Sequence, residues 1–86
     1  MTCYSIEFKK SAKKALLNLP KPVIQSISRL IDSLSETPYP DGCKKLSGMA
    51  NTYRVREGDY RVIYSVFNTQ LIVQIVKIGH RKDIYR

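Results

Sequence analysis

Acidic residues are scarce in this 86-residue chain: seven Asp and Glu stand against fifteen Lys and Arg, a formal net charge of +8. That imbalance favours a polyanion or an acidic protein partner, with nucleic acid the first candidate. Long apolar runs are lacking too. None approaches the roughly 20 residues needed to cross a bilayer, and the chain does not open on the apolar core of a secretory signal. The expected setting is therefore the cytoplasm, with no membrane partner. Cysteine is sparse, with only Cys3 and Cys43, and their spacing is not that of metal ligands. In a reducing compartment both are expected to be incidental thiols, with no metal bound. There are no internal repeats, no linkers and no low-complexity tracts. The length leaves room for one domain, residues 1–86, with one modest core and no large cofactor fold. No cofactor is expected, and function has to sit on a surface or in a shallow cleft.

What the chain does have is concentrated in Tyr53 to Tyr64, YRVREGDYRVIY. Two stretches of strict period-two alternation flank Gly58-Asp59, a dipeptide suited to a two-residue hairpin turn. The turn sets the register, with Glu57 facing Tyr60, Arg56 facing Arg61, Val55 facing Val62, Arg54 facing Ile63 and Tyr53 facing Tyr64. Side chains alternate across a sheet, so Tyr53, Val55, Val62 and Tyr64 form an apolar face while Arg54, Arg56 and Arg61 share the other. Like charges directly opposite each other are unfavourable by up to about 1 kcal/mol. Folding alone gives no reason to cluster them, whereas a bridging anion does. The competing reading is a solvated sheet face of the ordinary kind.

The remaining pattern gives the fold class. Tyr4, Ile6 and Phe8 alternate as in a short strand. Ala12, Ala15, Leu16 and Leu19 recur at helical spacing, with Lys9, Lys10, Lys13 and Lys14 largely outside, up to Pro20. Pro22 fits the first turn of a second helix, whose stripe is Val23, Ile27, Leu30, Ile31 and Leu34. Thr37-Pro38-Tyr39-Pro40-Asp41-Gly42 ends it. A basic loop with Lys44 and Lys45 leads into the hairpin, and Leu71 to Ile78 supplies a further strand after Asn68-Thr69-Gln70. The expected fold is a small α+β domain ordered β-α-α-β-β-β. A helical hairpin packs on the apolar face of a mostly antiparallel twisted sheet, and the arginines lie on the other face. The last nine residues, Ile78 to Arg86, are expected to be too short for a packed element. Lys13, Lys44, Lys45 and Lys82 are read as a sequence-independent track for a nucleic-acid backbone.

Tyr4-x-Ile6-x-Phe8, Lys45-Leu46-x-Gly48, the hairpin, and Ile78-Gly79-His80-Arg81-x-x-Ile84-Tyr85 occur in an order that resembles the RelE/ParE superfamily of small bacterial and archaeal toxins. The last stretch is similar to the RelE branch. The resemblance implies a metal-independent endoribonuclease, an mRNA interferase that cuts mRNA in the A site of the translating ribosome and is silenced by a cognate RelB-like antitoxin. Carried over position by position, Arg54 and Arg56 match the family's basic pair, Arg61 the cation opposite, Arg81 the one near the C-terminus, and Tyr85 the terminal aromatic. The implied roles are Arg61 and Arg81 on the scissile phosphate, Arg54 on an RNA backbone, and Tyr85 stacking on a base or positioning the 2′-OH. Arg56 completes the catalytic group with His80.

One departure bears on the proton. The best-known RelE-type toxins carry lysine at the positions of Arg54 and Arg56, and a guanidinium stays protonated near neutrality. Another group has to accept the proton, and His80 is the candidate, since imidazole exchanges a proton in this range. The bland reading of a lone histidine is a turn or surface residue. Glu57 is the weaker alternative, with a salt partner for a nearby arginine as its ordinary role. Two other functions fit the same features, a ParE-like inhibitor of DNA gyrase and a non-catalytic RNA- or ribosome-binding module.

Overall fold

A computed structural model describes residues 3–82. The chain opens with a short strand, β1 (Ser5–Phe8), followed by two helices, α1 (Lys10–Leu17) and α2 (Lys21–Ser33), and then four strands, β2 (Lys44–Lys45), β3 (Thr52–Glu57), β4 (Tyr60–Phe67) and β5 (Ile72–His80). All five strands form one sheet in the order β1-β5-β4-β3-β2. β1 runs parallel to β5, and the other three pairs are antiparallel. The expected α+β arrangement is thus the observed one, with two refinements. The loop carrying Lys44 and Lys45 pairs with β3 as a two-residue edge strand. The last strand starts after Leu71, which sits in the turn at a φ of 56°, and continues beyond Ile78 to His80. That extension has a plain cause. β4 begins at Tyr60, and the edge of its first residues that faces away from β3 finds partners where β5 pairs Arg61 with Gly79 and Tyr60 with His80.

The hairpin register is the one the sequence predicts at every pair from Tyr53↔Tyr64 to Glu57↔Tyr60. Gly58 takes a φ of 59° at the first central position of the turn, where a type II′ hairpin needs a glycine. Pro22 lies in the first turn of α2, where a missing N–H costs nothing. Both helices lie on one face of the sheet, with Ala12 and Leu16 of α1 and Ile27 and Ile31 of α2 packed with Val55, Val62, Tyr64, Val66, Val73, Ile75 and Ile78. Each large aliphatic side chain buried this way contributes about 1.5 to 3 kcal/mol of hydrophobic stabilisation. The apolar face of the hairpin is therefore fixed against the helices, and by alternation the arginines are fixed on the far side.

Tyr64 adds a polar anchor to that core. It is fully buried, its hydroxyl donates to the Pro38 carbonyl at 2.7 Å, and its ring stacks with Tyr53, whose ring meets Tyr39 edge-on. Near this stack the Tyr4 hydroxyl donates to Asn68 Oδ1 at 2.7 Å, and Asn68 Nδ2 donates to the Tyr39 hydroxyl at 3.1 Å. The segment entering β1, the proline loop and the β4–β5 turn are thereby tied at one end of the sheet, which leaves the hairpin end for other work.

Candidate nucleic-acid interface

The far face of the sheet is a grid of cations. One row across the strands reads Lys44, Arg54, Ile63 and Lys77, each directly opposite the next. The next row reads Arg56, Arg61 and Gly79. A third step lies at the hairpin end, where the Arg81 amide donates to the Asp59 carbonyl at 2.8 Å and Arg81 Nε lies 3.7 Å from Asp59 Oδ1. Asp59 is the second residue of the hairpin turn and Arg81 follows the last residue of β5, so this contact lies at the hairpin end of the sheet, one step beyond the pairing of Tyr60 with His80. The predicted site residues Arg54, Arg56 and Arg61 thus stand on one surface with Lys44, and Arg81 lies at the hairpin end of the sheet.

Burial within this group is uneven. Arg56 is exposed and Arg61 half-buried, with Arg61 Nη1 3.4 Å from the Tyr60 carbonyl. Arg54 lies deeper, beside an Ile63 that is only 7% exposed. Its Nε and Nη2 are shielded and have no hydrogen-bond partner among the described residues. A buried donor left without a partner costs about 1 to 3 kcal/mol, and more when it carries charge. A guanidinium presented in this state favours any anion that can satisfy it. Phosphate is the suited anion, because the planar fork matches two of its oxygens.

Other predicted site residues lie elsewhere. Lys45 pairs with Tyr53, which puts it on the helix side, opposite in sense to Lys44. Lys13 belongs to the helical layer, its Nζ 4.8 Å above the Phe8 ring. His80 closes β5 opposite Tyr60, on the parity of Ile78 and Val62 and so on the helix side. Its ring meets Tyr60 edge-on at 5.5 Å, and its Nδ1 accepts the Lys82 N–H at 3.2 Å. Lys82 itself is exposed. Glu57 lines a cleft of about 260 Å³ with Pro22, Val23, Ser26, Gly58, Asp59 and Tyr60, again toward α2. Tyr85 lies outside the described residues.

Burial pushes the Tyr53 and Tyr64 hydroxyls above the ordinary phenol range, the fully buried Tyr64 further, with the nearby Cys43 thiol a smaller cause for both. Both are neutral donors that belong to the core. Among the described residues no three His, Cys, Asp or Glu side chains come together as a metal site would require. No helix there is long and apolar enough to cross a membrane. Three features of the face were not read from the sequence: Lys77 in the first row, Gly79 beside Arg61, and Asp59 against Arg81. The turn at Asn68-Thr69-Gln70 announces the pairing of β4 with β5 but not its register, which shifts between Ile63 and Tyr64.

A small basic α+β domain with a helical layer on one face of its sheet and clustered guanidiniums on the other is the class these observations define. The chain belongs to the RelE/ParE superfamily of type II toxin–antitoxin toxins. The family model of the ParE toxin of the parDE system matches residues 6–85, and the sequence and structural relatives group it with the RelE-type toxins. It is 34% identical over 86 residues to the putative toxin RelE1 of Methanocaldococcus jannaschii, covering 96% of each chain. It is 30% identical over 84 residues to the toxin RelG of Mycobacterium tuberculosis, covering 96% of this chain and 97% of that one. Its fold superposes with a TM-score of 0.83 on a chain of the archaeal RelE–RelB complex from Pyrococcus horikoshii, at 36% identity, covering 96% of this chain and 99% of that one.

Proposed function

We propose that this chain is a ribosome-dependent endoribonuclease that cuts mRNA in the A site without a metal ion, and that a RelB-like antitoxin holds it inactive. The observation that carries the reading is the arginine grid, in which Arg56 faces Arg61 and Arg54 keeps buried donors unpartnered. When a ribose 2′-OH attacks the adjacent phosphorus, negative charge grows on the non-bridging oxygens, and preorganised cations lower that barrier. Arg61 and Arg81 take the scissile phosphate, Arg56 supports them, and Arg54 with Lys44 tracks the backbone. With His80 on the helix side, we read it as shaping the turn that carries Arg81. Proton transfer then falls to Tyr85 or to groups the ribosome supplies, together with substrate orientation, which is worth several kcal/mol of barrier.

The test is primer extension on a model mRNA in a translating extract and on the same RNA free of ribosomes. Cuts within codons that require ribosomes are expected, and equal cutting of naked RNA would overturn the ribosome dependence. A second reading, inhibition of DNA gyrase, is favoured by one observation, the match to the ParE family model. It predicts uncut mRNA in that extract and accumulation of cleaved DNA in cells that express the chain.

A further inference from the structure

Beside the arginine face, Arg81 is paired with a carboxylate. Asp59 fills the second position of the hairpin turn, and two contacts join it to Arg81. Its main-chain carbonyl accepts the Arg81 amide at 2.8 Å, and its Oδ1 lies 3.7 Å from Arg81 Nε. The carboxylate meets the guanidinium through Nε, which leaves the two terminal amines to take a phosphate side-on. Without a counter-charge, a guanidinium at the end of a sheet that already carries Arg56 and Arg61 would be driven outward by like charge, and Arg81, exposed and one residue past the end of β5, has little packing to resist that.

We propose that Asp59 is a positioning residue for Arg81, holding its guanidinium at the edge of the arginine face with its phosphate-binding edge free. The inference rests on the reading of that face as the site where an RNA phosphate is cut, and it concerns a residue on the turn opposite the C-terminal segment.

Bulk electrostatics and positioning predict opposite signs. Asp59 is a negative charge beside a surface that binds a polyanion, so removing it should strengthen binding and leave or raise the rate if charge alone matters. As a plain surface ion pair, with side chains 56% and 64% exposed, it should barely register in stability. If it positions Arg81, Asp59→Asn should slow single-turnover cleavage on programmed ribosomes by roughly tenfold or more, since small misplacements of a catalytic group carry that scale of loss. Ribosome affinity should stay equal or tighten. Asparagine suits the turn, and an unchanged thermal unfolding midpoint shows that the fold is intact. In an Arg81→Ala background the same substitution should change the rate by less than about twofold, because the group it positions is gone. A rate that is unchanged or raised in Asp59→Asn, or an equal loss in both backgrounds, overturns the inference while the wild type still cuts. A wild type that cuts nothing on ribosomes overturns the nuclease reading and this inference with it.

Discussion

Arg54 and Arg61 are the same residue type on the same face, yet their surroundings separate them. Arg61 stands between Arg56 and Gly79 and is half-open. Removing it as Arg61→Ala should cost about 2 to 4 kcal/mol of transition-state stabilisation, the scale of one lost oxyanion donor, and slow single-turnover cleavage about a hundredfold or more. Ribosome binding should hardly move. Arg54 has buried donors without partners, so it burdens the fold in the absence of an anion. Arg54→Met keeps the aliphatic stem and deletes the unsatisfied donors, and should raise the unfolding free energy by about 1 kcal/mol while weakening RNA-dependent binding. Denaturant unfolding paired with ribosome binding reads both signs at once. A variant that loses stability would show that the guanidinium is satisfied in solution.

At the level of elements, the chain distinguishes what local signals can specify from what they cannot. The hairpin was legible residue by residue, because Gly58 fixes the turn and alternation fixes the faces. The second helix was legible from its stripe and from Pro22. The parallel pairing of β1 with β5 was not, since more than sixty residues separate Ser5 from its partner Ile72 and no turn chemistry joins them. Nor was the side on which His80 falls. The β4–β5 register shifts between Ile63 and Tyr64, so parity read along β5 from Val73 and Ile75 does not carry through to Ile78 and His80. The fold class does not depend on such gaps, whereas the face of a strand-end residue does, because it changes with one bulge.

The Tyr64–Pro38 hydrogen bond joins β4 to the loop after α2 and carries a pH dependence of definite sign. Burial keeps the Tyr64 phenol neutral well past its ordinary value of 10.0 in the folded chain, whereas the unfolded chain ionises it near that value. Its contribution to stability is therefore complete below pH of about 10 and is lost as pH rises above it. Tyr64→Phe should lower stability at neutral pH by about 1 to 3 kcal/mol, because the buried Pro38 carbonyl loses its donor. It should also make the alkaline decline shallower than in the wild type. Unfolding titrations on either side of pH ~10 measure both effects, and parallel alkaline declines for the two proteins would count against the assignment.

Taken as a whole, the molecule carries +8, but that charge is divided between two surfaces. Lys44, Arg54, Arg56, Arg61 and Lys77 share the arginine face, with Arg81 at its hairpin end, while Lys13 and Lys45 lie on the helix side. Net charge by itself treats these alike, since distant surface charges raise association in proportion to their sum. Direct neutralisation of phosphates does not. Each phosphate contact to single-stranded RNA releases counterions and adds about 0.7 to the magnitude of the log K against log salt slope. If five cations of the arginine face are engaged, the slope for binding a short RNA should lie near −3 to −4. Lys44 and Lys45 then offer a comparison within one dipeptide, identical in charge, adjacent in sequence and opposite in face. Lys44→Ala should reduce the magnitude of the slope by about 0.7, and Lys45→Ala should leave it nearly unchanged. Equal reductions from both would mean that the RNA responds to the total charge of the chain and not to the surface on which the arginines stand.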